Sequence, residues 1–317
     1  MKVALYSVTY AGGWYDGPAL SVKQILDRAS RVGFDGVEIG CKRPHFSPLD
    51  VSESDAVGTA QAARDLGTEI PALAAYNDFS SPVEERREAE LLVVLRIIDL
   101  AAAMDVGIVR VFAAWPGVSA TPAGLSYDTP RRLMDYQLQN ADRLDTWMRV
   151  RDALAESAHY AARAGVKLAL QNHAPVIRGF EDVLDFVREV DSDHLVVSLD
   201  CPIMPDQSHA EVRRAVIETG PLIAHSHFGG EFEACENGMP RQRRFDNQRA
   251  LPNDRAFVGA LSEIGYSGFL SYELCHPVLK GHQRTGIEEV HSQVELALRY
   301  MRGILAHVTS SEKLRIA

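Results

Sequence analysis

Eight short apolar runs, each followed by a segment with helical spacing, govern what this chain can fold into. The runs fall at 3–10, 33–40, 69–76, 108–113, 168–173, 195–200, 222–228 and 268–273. Helical segments separate them, from about 21–32 through to a closing helix at 287–307. Strand-then-helix alternation at this count predicts a single-domain parallel (β/α)8 TIM barrel over 1–307, with 308–317 as a loose C-terminal tail. A doubly wound sheet is the competing solution. It is disfavoured because Gly12-Gly13, after the first run, lacks the further glycines of a phosphate-binding loop. The chain of 317 residues suits one such barrel. Two stretches break the rhythm, 114–143 after strand four and 229–253 after strand seven. Both are too long for simple connections, and both follow strands. They are therefore expected at the C-terminal face, where barrel sites lie, the first as a lid or binding wall.

Composition narrows the function classes. A formal charge of −10 and a pI near 5.6 argue against nucleic acid or an anionic membrane as the main partner. No apolar run approaches the length of a membrane span. The four cysteines, Cys41, Cys201, Cys235 and Cys275, have no CxxC spacing and give neither a zinc cluster nor a disulfide framework. A cytoplasmic enzyme with reduced thiols is the expectation.

Four runs start apolar and turn polar only at their C-terminal ends. Their tips are Gln171, Asp200, His227 and Glu273, separated by 29, 27 and 46 residues. The first two separations each match one strand–helix unit, and the third adds the long seventh loop. The tips thus belong to strands five to eight, side by side around half the barrel mouth. A carboxamide, two carboxylates and an imidazole make a mixed oxygen and nitrogen donor set. That set suits Mn²⁺ first, then Mg²⁺, Co²⁺ or Zn²⁺. Buried carboxylates are costly unless paired or metal-bound. All four residues are accordingly expected to ligate one divalent metal ion.

The stretches Gly33-Phe34-Asp35-Gly36-Val37-Glu38, Leu170-Gln171-Asn172-His173, Ser198-Leu199-Asp200, Ala224-His225-Ser226-His227 and Gly265-Tyr266-Ser267-Gly268 with Glu273 resemble the xylose isomerase-like TIM-barrel superfamily. That group includes ketose 3-epimerases, hydroxypyruvate isomerases, inosose dehydratases and endonuclease IV. The resemblance implies a metal site of Glu, Asp, His and Glu, which falls on Gln171, Asp200, His227 and Glu273. This chain departs at the first position. Gln171 can offer a carbonyl oxygen but cannot take a proton. Metal binding is then expected to weaken, and one of two carboxylate bases is missing. Glu273 remains as the catalytic base, with His173 as the nearest replacement for the second.

Further residues are read as substrate contacts. Glu38 ends strand two and His45 follows in its loop, placed to grip sugar hydroxyls. Trp115 opens the first long loop and offers a ring for stacking. His225 shares the inward direction of His227. Arg241, Arg243, Arg244 and Arg249 in the seventh loop form a group able to meet an anion. Cys201 and Cys275 follow proposed ligands directly and are read as packing.

Together these features predict a metal-dependent sugar or keto-sugar isomerase or epimerase that removes a proton next to a carbonyl. The alternative is a lyase cleaving C-glycosides of 3-keto sugars. The Lys42-Arg43-Pro44-His45 loop and Leu170-Gln171-Asn172-His173 resemble the C-glycoside deglycosidase alpha subunit, which works with a small partner subunit. An endonuclease IV-like nuclease would need a basic face and many more His and Glu ligands, and a non-catalytic sugar-binding barrel would need no metal. The expected partner is a small sugar or glycoside, in an oligomer.

Overall fold

Period-two alternation sorts the strand residues onto two faces. On one parity lie Val3, Leu5, Val37, Ile39, Leu73, Val109, Val111, Leu168, Leu170, Val197 and Leu270, all within 1 % of complete burial. They merge with apolar helix positions such as Ile25, Leu26, Ile97, Ile98, Leu154, Phe186 and Phe257 into one core. On the other parity lie Tyr6, Glu38, Arg110, Gln171, His225 and His227, which meet one another across the barrel axis. The apolar face of each strand therefore buys stability against the helices, and the inner face is left for chemistry.

The computed structural model describes residues 1–121, 124–236, 238–244 and 250–316, with side chains described up to Val308. Its barrel strands are β1 (Lys2–Tyr6), β2 (Gly36–Gly40), β3 (Leu73–Ala74), β4 (Ile108–Val111), β5 (Lys167–Gln171), β6 (Leu195–Ser198), β7 (Ile223–Gly229) and β8 (Phe269–Glu273). Each pairs in parallel with its neighbours, and β8 closes onto β1 with Val3 opposite Leu270. The expected (β/α)8 barrel is thus the observed fold. The outer layer is α1 (Val22–Val32), α2 (Glu53–Asp65), α3 (Glu84–Met104), α4 (Arg143–Ala164), α5 (Phe180–Val190), α6 (His209–Thr219), α7 (Asp254–Glu263) and α8 (Ile287–Ile316). Local signals set these boundaries. Ser21 and Gln24 form a reciprocal cap at the start of α1, and Gly33 ends it in the left-handed conformation at φ 99°.

Several boundaries differ from expectation. The third strand is only two residues long, because Pro71 cannot donate to a ladder. The stretch after β4 is built, not a loop: a hairpin pairs Ser119–Thr121 with Gly124–Ser126, and a helix follows over Asp128–Gln139. The stretch after β7 holds a second hairpin, Glu231–Ala234 with Pro240–Arg243. The closing helix continues past 307 to Ile316 where a loose tail was expected. No Gly or Pro follows Gly303 to stop it.

Two details aim side chains at the mouth. Between Val197 and Ser198 the pairing of β6 with β7 shifts, taking Ile223 and then His225 as partners. Beyond this bulge the His227 N–H donates to Asp200 Oδ1 at 2.9 Å. At the end of β2, Gly40 leaves room for Tyr76, since a Cβ there would lie 2.7 Å from the Tyr76 hydroxyl. Over the rim, the insertion after β4 builds an aromatic wall. Trp115 contacts Phe112, His173, Tyr127 and Tyr76 at ring separations of 4.8, 5.1, 5.9 and 6.0 Å. The Tyr127 hydroxyl then ties this wall to the end of β8 through the Cys275 carbonyl, 3.0 Å away.

Candidate active site

The floor of the mouth is an ionic network centred on Arg110. This residue interrupts the apolar β4 sequence Ile108-Val109-Arg110-Val111 and is 1 % exposed. All three arms of its guanidinium are used. Nε donates to Glu38 Oε1 at 3.2 Å, one terminal nitrogen to Gln171 Oε1 at 2.9 Å, and the other to the Tyr6 hydroxyl at 2.7 Å. The Phe112 ring lies 4.6 Å from its charge. The sequence reading missed Arg110, although a lone charge inside an apolar strand was its signal. Such a group has to find a partner.

His227 bridges two carboxylates. Nδ1 lies 2.7 Å from Asp200 Oδ2, and Nε2 lies 2.6 Å from Glu38 Oε2. The ring stacks on Tyr6 at 5.4 Å and 11°. Burial opposes its charge, but Asp200 and Glu38 outweigh burial and lift its pKa to about 10. An imidazole with an acceptor at each nitrogen holds both protons. Asp200 feels the same balance in reverse. Burial would raise it, yet the His227 cation and the Gln171 amide hold it below the ordinary carboxylate range. Glu38 is likewise held well down by His227 and His225 against its burial.

Glu38 and His225, expected to touch substrate, lie instead below the mouth. Both are fully buried, and His225 Nε2 sits 2.9 Å from Glu38 Oε2. His45 packs under the backbone of Tyr10 and Leu20, where burial pulls its pKa down to about 4. His173 stands in the aromatic wall. Its Nδ1 donates to the Ala174 carbonyl, leaving Nε2 as the ring's acceptor, and burial lowers its pKa to about 4. Trp115 sits beside it, partly exposed, as the residue read for stacking. In the seventh loop Arg241 pairs with Glu233 and Arg243 with Glu231, so the hairpin neutralises its own charges. Arg249 lies outside the described residues. Burial pushes the Cys201 and Cys275 thiols well up.

Glu273 ends β8 on the rim and is partly exposed. Burial raises its pKa; His227 and Arg110 work against that rise, while Asp200 and Glu38 add to it. Lys42, quoted in the sequence only as part of the Lys42-Arg43-Pro44-His45 loop and given no role of its own, shares this rim. Its ammonium lies 4.2 Å from the Tyr76 ring centroid, and burial lowers its pKa to about 8. The folded state therefore binds fewer protons at Lys42 than the unfolded chain between about pH 8 and 10.5, and stability should rise with pH across that window. Lys42→Met is expected to be more stable than the parent at pH 7 and to lose this rise. Urea midpoints at pH 7 and 10 check it, and an unchanged slope would refute it.

The expected four-ligand metal centre does not assemble from these donors. Gln171, Asp200 and His227 do converge, but as hydrogen-bond partners. Arg110 has only donors, so it fixes Oε1 of Gln171 on its own side. The carboxamide nitrogen then faces Asp200 Oδ2, and it lies 3.2 Å from His227 Nδ1. An amide N–H₂ is not a metal ligand. Among the described residues, the group of acidic and imidazole side chains close enough to share an ion is Glu38, His225 and His227, with donor atoms within 4.8 Å.

Several cavities open among the described residues, and two of them bear on the site. One of about 470 Å³ is lined by Trp14, Tyr127, Arg131, Glu231 and His276. The other, of about 830 Å³, is lined by Lys42, Pro44, Tyr76, Val118 and Leu125. Neither is lined by the buried network, which lies beneath Tyr76 and the aromatic wall.

A family model described as xylose isomerase-like TIM barrel matches residues 26–302. No curated protein matches the chain in sequence. Among solved structures, an L-ribulose 3-epimerase aligns at 19 % identity over 100 % of this chain and 98 % of that one, with a TM-score of 0.69. A D-psicose 3-epimerase from Clostridium cellulolyticum H10 aligns at 20 % identity over 96 % and 99 %, with a TM-score of 0.67. A 3-keto-D-glucoside 4-epimerase from E. coli aligns at 18 % identity over 98 % and 99 %, with a TM-score of 0.63. At such identities the likeness speaks for the fold.

Proposed function

The chain belongs to the xylose isomerase-like TIM barrel family, and from that premise we propose that it moves a proton at the carbon next to the carbonyl of a sugar or keto-sugar. Isomerisation or epimerisation is the outcome. The observation that carries this reading is Glu273, a rim carboxylate pushed toward its protonated form above a floor that holds two cations. A carboxyl in that setting takes a proton and returns it. Negative charge growing on the carbonyl oxygen would meet the positive potential of Arg110 and His227 from below. Lys42, tuned to about 8, supplies an ammonium on the same rim and a second group for proton return. Trp115 offers a ring face to the apolar side of a sugar. The ketose and keto-glucoside epimerases among the solved neighbours support the same class.

Gln171 favours elimination as a second reading. It leaves one face of the mouth without a carboxylate base, and elimination from a 3-keto C-glycoside needs a base on one face only. One experiment separates the two. Incubation of the full chain with ketoses and 3-keto-glycosides in D₂O, followed by NMR, should place deuterium on the carbon next to the carbonyl. Release of the aglycone would select elimination. Neither exchange nor release across the panel would sink both readings.

A further inference from the structure

We propose that in this chain a side-chain network stands where the family's divalent metal is expected: the Gln171 amide, held by Arg110, fills the ligand position, and the Arg110 guanidinium carries the positive charge. This deepens the site just assigned to proton transfer, and only its effect on turnover rests on that reading.

The logic is one of donors and acceptors. A glutamate at 171 would have two oxygens, one for Arg110 and one to face inward as a ligand. A glutamine has one oxygen, and Arg110 takes it at 2.9 Å. The inward atom is then Nε2, which donates to Asp200. His227 Nδ1 donates to the same carboxylate from 2.7 Å, and its other nitrogen meets Glu38. Two atoms from which ligation is expected thus carry protons, and Asp200 Oδ2 accepts from both.

Turning the Gln171 amide around does not rescue the site. Its N–H₂ would then face the donors of Arg110 in a region sealed from water. A buried polar group left without a partner keeps its full desolvation penalty. The Arg110 guanidinium would also repel a dication bound beside Gln171 in this water-poor region. The trio of Glu38, His225 and His227 meets the same obstacle. Glu38 already gives Oε1 to Arg110 and Oε2 to both imidazoles. An ion there would have to displace those protons and sit beside the same guanidinium.

The chemical consequence is a permanent organic cation beneath the substrate carbonyl. It needs no loading and does not respond to chelators.

The test uses the full chain purified without chelator. Elemental analysis should find Mn, Co and Zn far below one ion per chain, and added Mn²⁺ or Co²⁺ should leave the thermal midpoint unchanged. Gln171→Glu should gain Co²⁺ affinity by a factor on the order of 10–100, the range that changes around a metal's ligands produce. Visible absorption of bound Co²⁺ would report it. A stoichiometric ion in the parent protein, lost in Asp200→Asn, would overturn the proposal, as would a folded Gln171→Glu that binds no Co²⁺. Should that variant fail to fold, metal content and the midpoint of the parent protein decide alone. A metal-free chain inert toward every sugar would keep this inference and sink the sugar reading. A metal-loaded chain that exchanges deuterium would do the reverse.

Discussion

Glu273→Gln is expected to slow deuterium exchange into an accepted keto-sugar by about 10²–10⁴-fold, the usual worth of a positioned acid–base group. Stability should hold or rise. Glu273 sits in a place that resists ionisation: burial and the charges of Asp200 and Glu38 all raise its pKa, against the pull of His227 and Arg110. For an acid raised in the folded state, the unfolded chain releases its proton first as pH climbs through the ordinary carboxylate range. The folded state loses stability over that climb and stays at a disadvantage at neutral pH. A neutral isostere removes that disadvantage along with the base. Turnover and the urea midpoint should therefore move in opposite directions, the pattern of a residue kept for chemistry at a cost in stability. A parallel loss of both would make Glu273 a structural member of the network.

What the sequence disclosed followed the range over which its signals act. Strand period, caps and polar tips are local, and they located all eight strands and brought Gln171, Asp200 and His227 to one place. Partner choice is not local. Glu38 reaches His227 across 189 positions of chain, and nothing near either residue announces the other. Attention to the tips of β5 to β8 left the opposite half of the barrel read only at Glu38, His45 and Trp115, and Tyr6, Lys42, Tyr76 and Arg110, to which no role was given, all come from that half. Arg110 was nonetheless open to inference. A charge inside Ile108-Val109-Arg110-Val111 demands a buried acid, and Glu38 at the end of another inward strand was available. The insertion after β4 was read as a loop because its Pro and Gly residues mask short elements. Its strands are three residues each, below the length at which alternation can be recognised.

Arg110→Leu is expected to destabilise the fold by about 3–5 kcal/mol, the cost of removing one partner from a buried ion pair. At roughly 2–3 °C per kcal/mol for a chain of this size, the thermal midpoint would fall by roughly 6–15 °C. The loss comes less from the missing attraction than from what stays behind. Glu38 Oε1, Gln171 Oε1 and the Tyr6 hydroxyl would each lose a donor in a region that water does not reach. Lysine should rescue little of this, because one ammonium cannot span three acceptors that a planar fork holds together. Glu38→Gln in the Arg110→Leu background separates the contributions. If the uncompensated Glu38 charge dominates, the second change recovers stability, because the remaining carboxamide is neutral and still accepts from the imidazoles. If the double variant is instead as unstable as the two single losses combined, Arg110 and Glu38 act independently, and the cation beneath the mouth is held by packing among Tyr6, Phe112 and Tyr76 rather than by its charge partner.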